Sequence, residues 1–148
     1  MRNWSEDDPL DMVPLDYLWK VATKEDAAKW EAAGAVSGSD LDRTDGFYHT
    51  SNATMVKKVA AHFFKGQEVV LLQIDSEKLS DAPVAWAPID HPRLVPNHTT
   101  IKLKPDGCAH VYVDQEEPLM PIPWSAVKAA YELKCGAGGA HVWPEACA

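Results

Sequence analysis

No stretch of this chain approaches the roughly 20 consecutive apolar residues of a membrane span. Its opening residues, Met1-Arg2-Asn3-Trp4-Ser5-Glu6-Asp7-Asp8, lack the basic segment and apolar run that mark a secretory leader. Both absences point to a soluble, intracellular protein of the cytoplasm, with no membrane span. Positive charge is scarce: 14 Lys and Arg face 22 Asp and Glu, a net charge of -8 at pH 7. That balance argues against a general binder of nucleic acid or anionic membranes, because phosphate contacts need a basic surface, though it leaves room for a local basic pocket. Cysteine is limited to Cys108, Cys135 and Cys147, an odd number without a CxxC pair, so reduced thiols are expected rather than a disulfide framework or a structural zinc site. Internal repeats are absent as well.

What is present is 46% apolar content in 148 residues, enough for one domain with its own core. Residues 1–15 read as an acidic arm carrying Pro9 and Pro14, residues 16–134 as the domain, and residues 135–148 as a Gly-rich tail. A strand is expected over residues 17–21, then a short helix capped by Thr23, with Trp30 in the core and Gly34 at its end. Residues 35–45 are rich in Ser, Gly and Asp and read as a mobile loop. A strand over 46–50 leads to a helix capped by Ser51 or Asn52, whose Met55, Val56, Val59, Ala60, Phe63 and Phe64 recur at helical spacing. Residues 68–75 form the clearest strand, a continuous apolar run covered on both faces. Residues 84–86 give a short strand, 99–103 and 109–113 a hairpin about Pro105-Asp106-Gly107, and 124–131 a helical turn or helix after Pro123.

The segment Asp45-Gly46-Phe47-Tyr48-His49-Thr50-Ser51 brings a histidine and two hydroxyls to a strand end just before a helix start, where free backbone N–H groups favour an anion. His49 is the leading candidate, since imidazole serves as a hydrogen-bonding group or acid/base near neutral pH. Its structural alternative is a buried histidine bonded to backbone. Helix capping alone accounts for Ser51. His110 and Tyr112 alternate along one strand and share a face, from which they can meet His49, with Lys20 as a cationic partner for an anionic ligand. No metal is expected, because His49 and His110 lack a third ligand at a diagnostic spacing. A triad of Ser51, His110 and Asp75 lacks the Gly-x-Ser-x-Gly elbow, which disfavours hydrolysis. Trp19, Trp86 and Trp124 suit a core. Trp4 and Trp143 lie in segments too polar or too Gly-rich to form one, and are the expected anchors for a protein partner.

The order of these elements resembles the family called domain of unknown function 952 over residues 17–133. Lys20, the Gly46-Phe47-x-His49-x-Ser51 run, Asp75, Trp86, His110, Tyr112 and Pro121-Ile122-Pro123 carry the resemblance. Ala109 stands where the family usually has proline and Val113 where it has glycine, and residues 114–120 look inserted. The resemblance implies an ADP-ribosyltransferase-like fold: α+β, a single domain with two small mixed or antiparallel sheets and flanking helices. Such transferases carry a His-Gly-Thr or Arg on the first strand and a late catalytic Glu. Trp19-Lys20 departs from the first feature, and Asp114, Glu116 and Glu117 are equal candidates for the second.

The resulting expectation is a domain that binds a small anionic or nucleotide-like molecule between Lys20, His49, Ser51, His110 and Tyr112, with catalysis and cofactor left open. The rival expectation is a non-catalytic subunit that docks on protein partners through its terminal arms.

Overall fold

The computed structural model describes residues 15–90, 94–113 and 119–147. Among the described residues, nine strands and three α-helices run in the order β1 (Tyr17–Ala22), α1 (Lys24–Ala33), β2 (Ala35–Val36), α2 (Asp40–Asp45), β3 (Tyr48–Ser51), α3 (Ala53–Phe63), β4 (Val69–Asp75), β5 (Val84–Pro88), β6 (Thr99–Leu103), β7 (Cys108–Tyr112), β8 (Ile122–Pro123) and β9 (Val127–Leu133). This is a mixed α+β domain built on one large sheet with few helices. The expectation of two small sheets is corrected: seven strands join in the order β5-β6-β7-β3-β1-β4-β9, and β2 and β8 form a separate pair. All neighbours in the large sheet are antiparallel except β5 and β6.

The sheet has a seam. Strands β1 and β4 share six registered pairs, whereas β1 and β3 share the single pair Trp19↔Ser51. The sheet therefore consists of a four-stranded half and a three-stranded half joined at one residue pair. A core cluster including Leu18, Trp30, Tyr48, Leu72, Trp86 and Ile101 fills one side, and a smaller one of Trp19, Val56, Val69, Leu71, Leu133 and Cys147 lies beneath α3. Alternation along β4 sends Leu72 and Ile74 to the first and Val69 and Leu71 to the second. Covered on both faces, β4 is apolar from Val69 to Leu72 and buried through Ile74, although it lies next to the edge strand β9.

Three local expectations are corrected. Residues 35–45 are not a loop: Ser39 and Asp42 form a reciprocal capping box that starts α2, and Gly46 closes it at φ 81°. Residues 124–131 are not helical beyond a 3-10 turn at Trp124–Ala126, because β9 pairs with β4 over six positions, and that tertiary pairing overrides the helix preference of its alanines. In α3, Asn52 rather than Ser51 is the cap, accepting from Met55 N at 2.7 Å, while Phe64 packs on the second core and Phe63 is 68% exposed.

The C-terminal tail folds back on the domain. Val142 N donates to Lys134 O, Cys147 is fully buried, and Trp143 packs partly against the second core. The surface that Trp143 can offer a partner is correspondingly reduced. The acidic arm through residue 14, with Trp4, and the acids Asp114, Glu116 and Glu117 lie outside the described residues. Among the described residues no helix is long and apolar enough to cross a membrane.

Candidate functional site

Antiparallel pairing builds the site one row at a time. His49 of β3 lies opposite His110 of β7, and His110 lies opposite Lys102 of β6. Directly paired residues share a face, and so do residues two apart on one strand. Tyr112 therefore joins His110, and Phe47, just before β3, joins His49. Their rings pack as a group: Phe47 stacks on His110 at 4.1 Å between centroids and 23° between planes, and lies 4.6 Å from His49 and 5.4 Å from Tyr112. The two imidazoles stand edge to face at 5.8 Å. The Lys102 ammonium sits 5.3 Å from the Tyr112 ring centroid. All four rings are half-buried. The opposite face of the same strands carries Tyr48, Ala109 and Val111 into the main core.

The support behind His49 is ionic. Asp42, completely buried on α2, accepts a hydrogen bond from each of four donors. Ser39 N donates at 2.9 Å and Lys20 Nζ at 2.7 Å to Oδ2, while His49 N at 2.9 Å and His49 Nδ1 at 2.7 Å meet Oδ1. Each carboxylate oxygen thus uses both of its lone-pair directions. Burial works to raise the Asp42 pKa, but His49 and Lys20 together outweigh it and hold the carboxyl well below the usual carboxylate range. The Lys20 ammonium, itself 4% exposed, also donates to His49 O at 3.0 Å, bridging the seam where β1 and β3 pair only once. Burial lowers its pKa and the Asp42 charge opposes the drop.

The far edge of His49 meets a different carboxylate. Nε2 lies 2.9 Å from Asp45 Oδ2 at the end of α2. Unlike Asp42, the Asp45 side chain is 38% exposed. Carboxylates only accept, so the ring donates to both partners only as an imidazolium. For His110, burial, the neighbouring His49 and Lys104 together push the pKa down to about 4, against the pull of Asp106 and Asp45. At neutral pH it is an uncharged ring with one donor and one acceptor nitrogen.

The sequence-derived candidates are distributed as follows. His49, His110 and Tyr112 come together on one half-exposed face. Lys20 stands behind that face, its charge matched by Asp42, and does not line it. Ser51 is 5% exposed, lies opposite Cys108 and hydrogen-bonds with its thiol. Thr50 points away and donates to Ala109 O at 2.9 Å. Sequence reasoning missed Asp42, and it marked the segment that carries Asp45 and Phe47 without giving either of them a place in the site. The Ser39-x-x-Asp42 spacing is the one local signal that could have marked Asp42, as a capping residue. Among the described residues no group of three His, Cys, Asp or Glu is placed to hold a metal ion. A separate cleft of about 660 Å3, lined by Leu79, Asp81, Val113, Met120 and Pro121 among others, includes none of the ring residues.

Among solved structures, the crystal structure of protein CC0527 from Caulobacter crescentus superposes with a TM-score of 0.59 at 23% identity, covering 85% of this chain and 93% of that one. The solution NMR structure of CC0527 gives a TM-score of 0.57 at 23% identity, over 84% and 90%. At that identity the likeness establishes the fold alone. No match is found among curated proteins. The family described as Protein of unknown function (DUF952) matches residues 21–130, from the end of β1 to the middle of β9, and the chain belongs to that family.

Proposed function

We propose that this chain is a small-ligand-binding domain whose ring face, formed by Phe47, His49, His110 and Tyr112, holds an anionic or nucleotide-like molecule. The observation that carries this reading is the Lys20–Asp42 pair behind His49. Removing two charges from water costs several kcal/mol per ion, roughly, and a hydrophobic pair would hold the sheet as well or better. What the ion pair provides and a hydrophobic pair cannot is a fixed carboxylate that orients one half-exposed imidazole. The neighbouring rings offer stacking surface for a planar group, and the neutral His110 offers one donor and one acceptor. The seam, at which a four-stranded and a three-stranded half of the sheet meet in one residue pair, supports an ADP-ribosyltransferase-like reading of the fold. Catalysis is not part of the proposal.

Calorimetric titration with ADP, ADP-ribose and a nicotinamide dinucleotide tests it. One of them should bind, and His49→Ala should abolish the heat; the variant also loses one of the four donors to Asp42, so it should cost about 1–3 kcal/mol of stability while staying folded. If none binds at millimolar concentration, or if the variant binds equally well, the reading fails. The competing reading is a subunit of a larger assembly in which this face is idle. It draws less support, since Trp143 is partly taken up by the chain's own core and the exposed Leu41, Phe63, Met120 and Val142 lie in four separate parts of the chain.

A further inference from the structure

His49 is held by two carboxylates of unequal standing. Asp42 is buried, fully satisfied and fixed by α2, β1 and β3 together. Asp45 contacts the same ring from the solvent side, is 38% exposed, and its neighbour Gly46 takes the left-handed conformation at φ 81°, with nothing within 4 Å of where its side chain would be. Among the described residues, His49 is the one ion-pair partner of Asp45. Exposed pairs of this kind contribute little, since water competes with the partner and side-chain entropy is lost in holding it. The inner carboxylate is therefore permanent and the outer one displaceable.

We propose that the Nε2 edge of His49 is an anion subsite for the phosphate group of a small molecule, occupied in this structure by the chain's own Asp45 carboxylate. This deepens the ligand-binding reading given above and rests on it. A phosphate oxygen accepts from Nε2–H as Asp45 Oδ2 does, at the same kind of distance. Displacing Asp45 leaves the imidazolium and Lys20 against the single charge of Asp42, an excess of positive charge that the incoming group neutralises. Lys104 and Lys102, beside and opposite His110, add to the attraction, and Asp106 subtracts from it. The Phe47 and His110 rings lie next to the subsite and can receive the rest of the molecule.

The test is a titration of the intact chain with inorganic phosphate near pH 5.5, following the histidine ring nitrogens by NMR, in the wild type and in Asp45→Ser. The expected result is a phosphate-induced shift of His49 Nε2 in both, with about fivefold tighter binding in the variant, the factor equivalent to the roughly 1 kcal/mol of an exposed ion pair. Asp45→Asn, which keeps the shape and loses the charge, should give an intermediate gain and serves if the serine variant does not fold. Equal or weaker binding in the variants, a shift confined to other histidines, or no phosphate binding at all overturns the subsite. The two proposals fail separately. Phosphate that binds as expected while no nucleotide-like molecule binds sinks the broader reading, and a nucleotide that binds without moving His49 Nε2 sinks the subsite.

Discussion

Replacing Lys20 by methionine keeps most of the side-chain volume while deleting the ammonium that faces Asp42. The carboxylate then stays buried with the His49 and Ser39 donors but without its buried counter-charge. Breaking a buried ion pair from one side costs about 3–5 kcal/mol, a large share of the roughly 5–15 kcal/mol that holds such a domain folded. For a chain of this size that corresponds to a melting point lower by about 6–20 °C, at roughly 2–4 °C per kcal/mol. Asp42→Asn should cost a similar amount, since it strands the ammonium instead. The double variant removes both charges, so it should be less damaging than the sum of the two by about 2 kcal/mol, as coupled partners are. Urea unfolding followed by tryptophan emission measures all four proteins, and an unchanged denaturant slope confirms that stability alone has changed. Single variants that each cost under about 1 kcal/mol and simply add would refute the account of the pair as a buried, coupled unit.

Acid should act through the same carboxylate. The folded-state pKa of Asp42 lies below its ordinary 3.8, so its contribution is whole above that value and is lost as pH falls beneath it; Asp42→Asn should flatten the stability curve there. His110 titrates at about 4 in the fold against 6.5 when free. The unfolded chain therefore binds the extra proton between those values, stability climbs through that window and is complete above it, and His110→Gln should remove the slope while NMR of the wild type finds the midpoint near 4. Gly107 has φ 106° and an added Cβ would lie 2.5 Å from the Asn52 side chain, so Gly107→Ala should cost about 2 kcal/mol or more by denaturant melting. A cost below about 0.5 kcal/mol would mean that the turn gives way easily. Trp143→Ala should lower the melting temperature by several degrees, through lost packing of roughly 1–3 kcal/mol on the second core, and an unchanged melt would return that tryptophan to the surface.

Much of this arrangement could be read from the sequence, for a physical reason that also marks where reading stops. The pairing of His49 with His110 and Tyr112 follows from strand periodicity, because alternation fixes a face once two strands are adjacent. Phe47 obeys the same rule, two residues before His49, yet its role as the stacking partner of His110 depends on the register. Asp42 was out of reach. Residues 35–45 have the composition of a loop, and only contact with β1 and β3 turns the Ser39 capping box into a helix carrying a buried charge. Lys20 was identified as a cationic partner for an anion, but sequence does not show which lysine finds a buried counter-ion such as Asp42. Strand β9 was misread because alanine favours helix until an adjacent strand offers a ladder of hydrogen bonds.

The four donors to Asp42 reach it from three elements separated along the chain, with Lys20 bonded across 29 residues to His49 O. Contacts of that separation form only once the loop between them has closed and α2 has been placed against β1 and β3. A nascent or partly unfolded molecule therefore carries the Gly46-Phe47-x-His49 run without an oriented imidazole. The ring acquires its fixed direction together with the β1–β3 seam. His49 is in this sense a reporter of completed folding: its ring nitrogens should take up their native signals in the same kinetic phase as the slowest backbone amides of β1, and binding competence should rise with that phase and no earlier.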